Sequence, residues 1–205
     1  MDWIIFFAIN NMNYHVYKLE STDNIILKNI EKNNFNSIII LDGIITLVKI
    51  FQNKETLPLA ILSRNHIISH RESHGAYYKI TALKNTYLIT LKEHILYYNK
   101  AKNFSKINIA KNYKKTLERY EETLQIIHQK NTTNRIILFI LLIFAKFGLI
   151  KKHKIIVPVE LRKEYIATMT GTSMYSVHRI LKKINNIKID KKNKTTIYLL
   201  RIEKL

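Results

Sequence analysis

The side chains with the clearest capacity for chemistry lie on one face of a short segment near the C-terminus. They are suited to contacting an anion or a base edge rather than to breaking a bond: Met174, Tyr175, His178, Arg179 and Lys182. Guanidinium, imidazole and ammonium groups donate hydrogen bonds to phosphate oxygens and to acceptors on bases. The segment therefore predicts binding, provided that the elements around it hold this face outward.

The sequence around these residues, KEYIATMTGTSMYSVHRILK over 163–182, predicts a helix, a sharp turn and a second helix. Gly171 lies in the turn, where a positive φ favours glycine, and Ser173 is placed to cap the second helix. Apolar or small residues fall where the two helices must touch: Ile166, Ala167, Val177 and Ile180. This is the pattern of a DNA-binding helix-turn-helix. Helix pairs around a glycine are also common as purely structural elements, so the rest of the chain has to decide.

The charge of the chain favours a polyanionic partner. Lys and Arg number 34 against 15 Asp and Glu, a formal net charge of +19. Nucleic acid and an anionic membrane surface are the two candidates. An Ile-, Lys- and Asn-rich composition with only 4 Gly is typical of A+T-rich coding sequences, so position matters more than the total. Residues 150–205 carry 14 basic and four acidic residues, a net +10, which places the excess at the helix-turn-helix.

Composition and motifs exclude several kinds of site. The absence of cysteine rules out disulfides, thiolate zinc sites and cysteine nucleophiles, and suits a reducing compartment. The sequence has no P-loop, G-x-S-x-G or paired-carboxylate motif, so we expect no enzyme. The apolar runs 3–9 and 136–145 are too short to span a bilayer, so we expect a soluble protein without a membrane partner.

The first half of the chain predicts an antiparallel β-structure. Residues 14 to about 98 contain β-branched runs separated by polar turns, and we expect strands over 57–62, 77–83 and 86–91. Asp42-Gly43 lies between the runs 37–41 and 44–51, and this arrangement predicts a β-hairpin. The spacing favours a small sandwich or barrel.

A long helix with a narrow apolar stripe follows, from about residue 104 to 129. Its apolar residues are spaced 3, 4, 3, 4 and 3 apart: Ala110, Tyr113, Leu117, Tyr120, Leu124 and Ile127. Such a heptad stripe packs either against its own domain or against a second copy. Charged residues flank the stripe, which favours a homodimer seam, and we predict that Tyr113, Leu117, Tyr120, Leu124 and Ile127 form it.

The remaining elements complete a DNA-binding unit. Asn131 to Asn134 offer caps for a helix over 135–147 that is apolar nearly all round and is therefore predicted to be buried, with Gly148 as its stop. A basic loop over 151–154 leads to a strand over 155–157. Runs at 187–189 and 195–202 predict a two-stranded wing beside the helix-turn-helix.

The order of these elements resembles the Crp/Fnr superfamily of dimeric transcription regulators. The likeness is clearest in IATMTGTSMYSVHRILKKI (166–184), which is similar to the family pattern I-A-x-x-x-G-x-[ST]-x-x-[ST]-V-x-R-[IL]-L. NTTNRIILFILLIFAKFG (131–148) and ILDGIITLVKI (40–50) resemble the NtcA group of nitrogen regulators, found in cyanobacteria and red algal plastids.

The resemblance implies an α+β fold in three parts. They are an antiparallel β-roll like that of cyclic-nucleotide-binding domains (1–102), a dimerisation helix (103–130) and a winged helix-turn-helix (131–205). It further implies a homodimer on pseudo-palindromic double-stranded DNA that activates nitrogen-controlled genes with RNA polymerase. The location would be the plastid stroma of an alga, or otherwise the bacterial cytoplasm. The alternative is a non-specific nucleic-acid architectural protein that has lost effector sensing and base readout.

The resemblance also implies roles for single residues. Arg179 stands where the family reads a guanine, whereas Met174 and Tyr175 replace its usual Arg or Glu. We expect His178 and Lys182 to contact phosphate, and the backbone of Thr172 and Ser173 to do the same at the helix start. The full predicted DNA-binding set is Lys163, Thr172, Ser173, Met174, Tyr175, Ser176, His178, Arg179 and Lys182.

The effector region differs from the family pattern. The residues at 68–72 lack the stretch that clasps a cyclic nucleotide, so we expect no cyclic-nucleotide sensing. Arg71, Arg119 and Glu121 are candidates for receiving 2-oxoglutarate, because arginine favours bidentate contacts with carboxylates. His66, His70 and His74 with Glu72 are spaced like metal ligands, but the segment reads as strand and loop, so we predict solvated histidines and no metal.

Overall fold

The computed structural model describes residues 2–9, 11–27, 36–70, 75–92, 108–151, 154–159, 161–184, 187–192 and 195–201. Five helices are described: α1 (Asp2–Ile9), α2 (Ile109–Ile127), α3 (Thr132–Phe147), α4 (Lys163–Thr170) and α5 (Met174–Lys183). Within these ranges, none of the helices combines the length and the apolar character needed to cross a membrane.

Eight strands form an N-terminal β-roll of two antiparallel sheets. They are β1 (His15–Leu19), β2 (Asn24–Leu27), β3 (Asn36–Asp42), β4 (Ile44–Phe51), β5 (Thr56–Ser63), β6 (Ile67–His70), β7 (Ala76–Ala82) and β8 (Thr86–Lys92). The first sheet has the order β1-β8-β3-β6 and the second has the order β2-β7-β4-β5. Ile and Leu side chains from both sheets, such as Ile40 and Leu47, fill the space between them. The predicted strands at 57–62, 77–83 and 86–91 are confirmed.

The predicted hairpin at Asp42-Gly43 is wrong. β3 pairs with β6 and β8, whereas β4 pairs with β5 and β7, so the two runs belong to different sheets. Gly43 is the corner where the chain passes from one sheet to the other. It has φ +112°, and a Cβ at this position would overlap the side chain of Thr86 and lie 2.6 Å from its Cα. The Asp-Gly pair therefore marks a close approach between sheets rather than a two-residue turn.

The N-terminal apolar run forms α1, which covers the outer face of the first sheet. Trp3, Phe6 and Phe7 are buried there against Ile39 and Ile67. Their rings contact one another in edge and stacked arrangements, and the Trp3 indole donates to the Asn65 side chain over 3.2 Å. The sequence analysis assigned this run no structural role, because eight residues are too few to display a clear helical period.

Helix α3 is only partly buried, which corrects the prediction. Ile136, Phe139, Ile140, Ile143 and Phe144 are buried, but Leu138 and Leu141 on the opposite side are 39% and 46% exposed. Asn131 caps its first turn by accepting from the Thr133 N–H, as expected. The helix ends before Gly148, whose backbone is extended rather than left-handed. A Cβ on Gly148 would overlap the Phe144 carbonyl oxygen, so space rather than conformation selects glycine there.

The C-terminal strands form one four-stranded sheet rather than an isolated two-stranded wing. They are β9 (Leu149–Lys151), β10 (Lys154–Val157), β11 (Ile187–Lys192) and β12 (Thr195–Arg201), in the order β11-β12-β10-β9. The predicted wing is its β11–β12 pair, and the predicted strand at 155–157 is its third member. The basic loop instead joins β9 and β10, in which Lys151 and Lys154 are paired in register. The division of the chain at 102/103 and 130/131 stays a prediction.

The corner at Gly43 makes a direct test of the roll. Gly43→Ala should lower the free energy of unfolding by about 3 kcal/mol, because the new methyl group meets Thr86 in a backbone region that side chains rarely adopt. Urea denaturation measures this effect. Gly75→Ala is the matched control: its φ of +79° is also positive, but its Cβ would meet only the flexible side chain of Gln52. We expect a loss of about 1 kcal/mol there. Equal losses of unfolding free energy at both positions would contradict the assignment of Gly43 as a close approach between the two sheets.

Candidate nucleic-acid interface

The helix-turn-helix has the geometry that the sequence predicts. Gly171 is left-handed (φ 58°, ψ 44°) and ends α4. Ser173 caps α5, and its hydroxyl oxygen accepts from the Ser176 N–H over 3.2 Å. The four residues expected between the helices, Ile166, Ala167, Val177 and Ile180, are all buried. The apolar seam between the helices therefore fixes which side of α5 faces outward.

The outward side of α5, which we call the recognition face, consists of Met174, Tyr175, His178, Arg179 and Lys182, all of which are exposed. Tyr175 is 73% exposed and Met174 is 54% exposed, so neither side chain contributes to the core. Large side chains in such open positions are available for contact with a partner.

One hydrogen bond joins the recognition face to the start of α4. The Lys163 Nζ lies 2.9 Å from the His178 Nδ1 across fifteen residues of sequence. The sequence analysis placed both residues in the predicted DNA-binding set but treated them as separate contacts. Their pairing depends on the crossing of α4 and α5, which only the folded chain defines.

The turn residues are more engaged than predicted. The Thr172 N–H donates to the Ala167 carbonyl over 2.9 Å. The sequence analysis expected this N–H to contact a phosphate, but it already has a partner within the protein. Its hydroxyl is 2.9 Å from the Thr170 hydroxyl. The Ser176 hydroxyl accepts from Ser173 over 3.1 Å. Through these bonds Thr172 belongs to the turn and Ser176 to the N-terminal cap of α5. The bonds hold the start of α5, and with it the recognition face, in place.

Arg135 is a functional candidate that the sequence analysis missed. From the first turn of α3, its Nη2 donates to Thr132 over 3.3 Å, and its Nη1 lies 3.5 Å from the Gly171 carbonyl oxygen. The guanidinium thus links the start of α3 to the turn of the helix-turn-helix. A contact between residues 36 positions apart leaves no local pattern in the sequence.

An ion-pair chain joins α2 to α3. Glu122 accepts from Arg119 over 2.7 Å and lies 2.7 Å from the Lys146 ammonium. Burial alone would raise the pKa of Glu122, but the hydrogen bonds from Lys146 and Arg119 outweigh it and hold the pKa below its usual value. We call these three residues the α2–α3 joint.

The effector candidates are not gathered into a site by the described residues. The guanidinium of Arg119 belongs to the α2–α3 joint, Glu121 is exposed, and Arg71 lies outside the described residues. Binding of 2-oxoglutarate therefore stays a prediction.

The histidine group differs from the prediction of solvated side chains. His66 is buried, with its Nδ1 2.8 Å from the Ser63 carbonyl oxygen. Burial, with help from the charges of Arg119 and Lys115, lowers the pKa of His66.

No group of three potential metal ligands occurs in the part of the chain that the structure describes. Glu72 and His74 lie outside that part, and so does the side chain of His70. Of the four residues spaced like metal ligands, His66 is the only one whose side chain the structure describes, and it bonds to the backbone of its own turn.

The predicted dimer seam divides between two sides of α2. Leu117 and Leu124 are 58% and 44% exposed, as expected for residues available to a second copy. Tyr113 and Tyr120 instead pack on the roll of their own chain, and the Tyr113 hydroxyl lies 3.3 Å from that of Ser37. Burial beside Tyr78 raises the pKa of Tyr120 to about 12. Ile127 is half-buried.

Comparison with known proteins supports a regulator fold. No protein-family model matches the sequence. The chain is 23% identical over 190 residues to the ycf28 protein of Porphyra purpurea, named an HTH-type transcriptional regulator; the match covers 91% of this chain and 78% of that protein.

Three solved structures share the fold at low sequence identity. A cyclic nucleotide-binding domain containing protein from Listeria monocytogenes EGD-e has a TM-score of 0.74 and 14% identity, covering 100% of this chain and 98% of that one. A CRP family transcriptional regulator from Thermus thermophilus has a TM-score of 0.67 and 15% identity, covering 92% and 93%. A CooA mutant from Carboxydothermus hydrogenoformans has a TM-score of 0.65 and 20% identity, covering 93% and 85%. The fold is therefore that of the Crp/Fnr regulators, a mixed α+β fold with antiparallel sheets.

The α2–α3 joint predicts a pH-dependent contribution to stability. Glu122→Gln should lower the free energy of unfolding by about 1–2 kcal/mol at pH 7, because it removes the charge that Arg119 and Lys146 share. A carboxyl whose folded pKa is depressed stabilises fully above its ordinary pKa of 4.5. The difference between wild type and variant in urea denaturation should therefore shrink as the pH falls below that value. Glu121→Gln, at the exposed neighbouring position, is the control and should change stability by less than about 0.5 kcal/mol at either pH. A pH-independent difference would contradict the joint.

Proposed function

We propose that the chain is a sequence-specific DNA-binding transcription regulator that acts as a homodimer, and that it is not an enzyme. The observation that carries this proposal is the recognition face, a set of exposed polar, basic and aromatic side chains on the second helix of a capped helix-turn-helix. An α-helix of this kind fits the major groove of DNA. The net +10 over residues 150–205 supplies attraction to phosphate.

The dimer places two recognition faces on one DNA molecule. Leu117 and Leu124 are seven residues apart on the exposed side of α2, so they lie on one stripe of the helix. Pairing of this stripe with that of a second copy would bury both leucines. Each copy would then read one half of a pseudo-palindromic site, with the half-sites about one helical turn apart.

A finer role is proposed with support from the resemblance and from the relative in a red alga. We propose an activator of nitrogen-controlled genes that works with RNA polymerase in the plastid stroma, or in the cytoplasm of a bacterium. Support comes from the likeness of 131–148 and 40–50 to the NtcA group, and from the ycf28 protein of Porphyra purpurea.

A second candidate function is non-specific binding of nucleic acid. Met174 and Tyr175 favour it, because they occupy exposed positions where Crp/Fnr regulators usually carry Arg or Glu base readers. An architectural protein of this kind would keep the phosphate contacts of the fold and lose its preference for a base sequence.

Arg179→Ala separates these two functions. For a sequence-specific regulator, the variant should lose about 5- to 100-fold in preference for its site over a site changed at one guanine, because a bidentate arginine–guanine contact is removed. Selection from random DNA followed by fluorescence anisotropy measures this ratio. Lys182→Ala is the control, and it should weaken binding to all sequences alike while reducing the salt slope by about 1. If selection with the wild type yields no two-fold site, the proposed function is wrong.

The exposed stripe of α2 should set the oligomeric state. Leu117→Glu should convert the dimer to a monomer, because it puts two like charges into the buried seam. Sedimentation velocity measures the change. Ile26→Glu is the control, because Ile26 is a similarly exposed apolar residue (52%) on the roll and should leave the dimer intact. A Leu117→Glu chain that still sediments as a dimer would exclude this seam.

A further inference from the structure

The Lys163–His178 hydrogen bond sets the chemical state of the imidazole on the recognition face. An ammonium group has three donors and no acceptor, so the His178 Nδ1, 2.9 Å away, has to accept. A neutral imidazole that accepts at Nδ1 carries its proton on Nε2. His178, whose side chain is exposed, therefore carries an N–H donor at Nε2.

This state fits a base better than a phosphate. A phosphate favours the doubly protonated imidazolium, in which Nδ1 is itself a donor and cannot accept from Lys163. With Nδ1 accepting from Lys163, only Nε2 of the ring is left to donate. The neighbouring residues also favour a position in the major groove. Arg179, the predicted guanine reader, follows His178 in sequence, and Tyr175 lies one helical turn before it on the same exposed face.

We propose that His178 reads a base pair in the major groove as a neutral Nε2–H donor, and that Lys163 is the positioning residue that fixes this tautomer. The preferred partner is an acceptor edge, above all guanine with its O6 and N7, and the disfavoured partner is the N4 amino group of cytosine. This inference rests on the proposed function. It replaces the phosphate contact that the sequence predicts for His178.

The tautomer distinguishes this role from a charge effect. Lys163→Met removes the donor and leaves the imidazole free to take either tautomer. Lys163→Arg retains a group that can only donate, so it should preserve the proton on Nε2. If Lys163 instead contacted a phosphate, the Lys163→Met protein would bind DNA more weakly without any change in its base preference.

The test measures base preference across a half-site for the full-length protein at pH 8. The wild type and the variants His178→Ala, Lys163→Met and Lys163→Arg are each taken through selection from randomised DNA. Anisotropy titrations then use the selected site and its single-base variants. We expect about five-fold discrimination at one position in the wild type and in Lys163→Arg, the lower end of the contribution of a base contact. We expect its loss in His178→Ala and Lys163→Met, with the Arg179-dependent position unchanged.

The outcomes separate the inference from the function on which it rests. A wild type without a preferred site would overturn both. A wild type with a two-fold site, together with variants that bind all sequences more weakly but keep the same base profile, would overturn the inference and leave the proposed function standing. Thermal unfolding by circular dichroism checks that the substitutions leave the fold intact. If one Lys163 variant is unstable, His178→Ala still decides the base contact, and the other Lys163 variant decides the positioning role.

Discussion

One shared apolar core orients the recognition face. Ile44, Val48, Ile61 and Leu83 from the roll lie in the same buried cluster as Ile126 of α2 and the inner faces of α3, α4 and α5. Because protein interiors are densely packed, such a cluster allows few relative positions of the elements that share it. The recognition face is therefore held in a defined direction relative to the roll and to α2, with the α2–α3 joint adding charge contacts at the edge of the same core.

Helix α2 shows how polar residues serve as a packing surface. Its residues that are buried on the rest of the chain include Asn112, Thr116 and Thr123, which a search for apolar stripes passes over. The Thr116 hydroxyl donates to the Asn112 carbonyl and also accepts from the Ile67 N–H over 3.1 Å. Satisfied in this way, threonine is buried at little cost and packs closely. The apolar heptad stripe is therefore divided: Tyr113 and Tyr120 pack on the roll, whereas Leu117 and Leu124 are exposed.

The hairpin error and the correct helix-turn-helix prediction have a common explanation. An Asp-Gly pair between β-branched runs has the local pattern of a turn, but the pairing of β3 and β4 with other strands depends on residues up to 56 positions away, as between Asn36 and Lys92. The helix-turn-helix is contiguous: its turn glycine, its cap and its seam residues all lie within the single segment 163–182. Its pattern is therefore complete in the local sequence, whereas the pattern of the roll is not.

The sequence alone determined eight of the twelve described strands, the capped helix-turn-helix, its outward face and the placement of positive charge, because each depends on residue type and short-range period. Only the tertiary structure decided which sheet each strand joins, which side of α2 is free, that His66 is buried, and that Lys163 bonds to His178. These are contacts between residues distant in sequence, and their selection depends on how the whole core fills space. The helix-turn-helix segment is specified by its local sequence, whereas the contacts that orient its side chains, such as the Lys163–His178 bond, depend on tertiary packing.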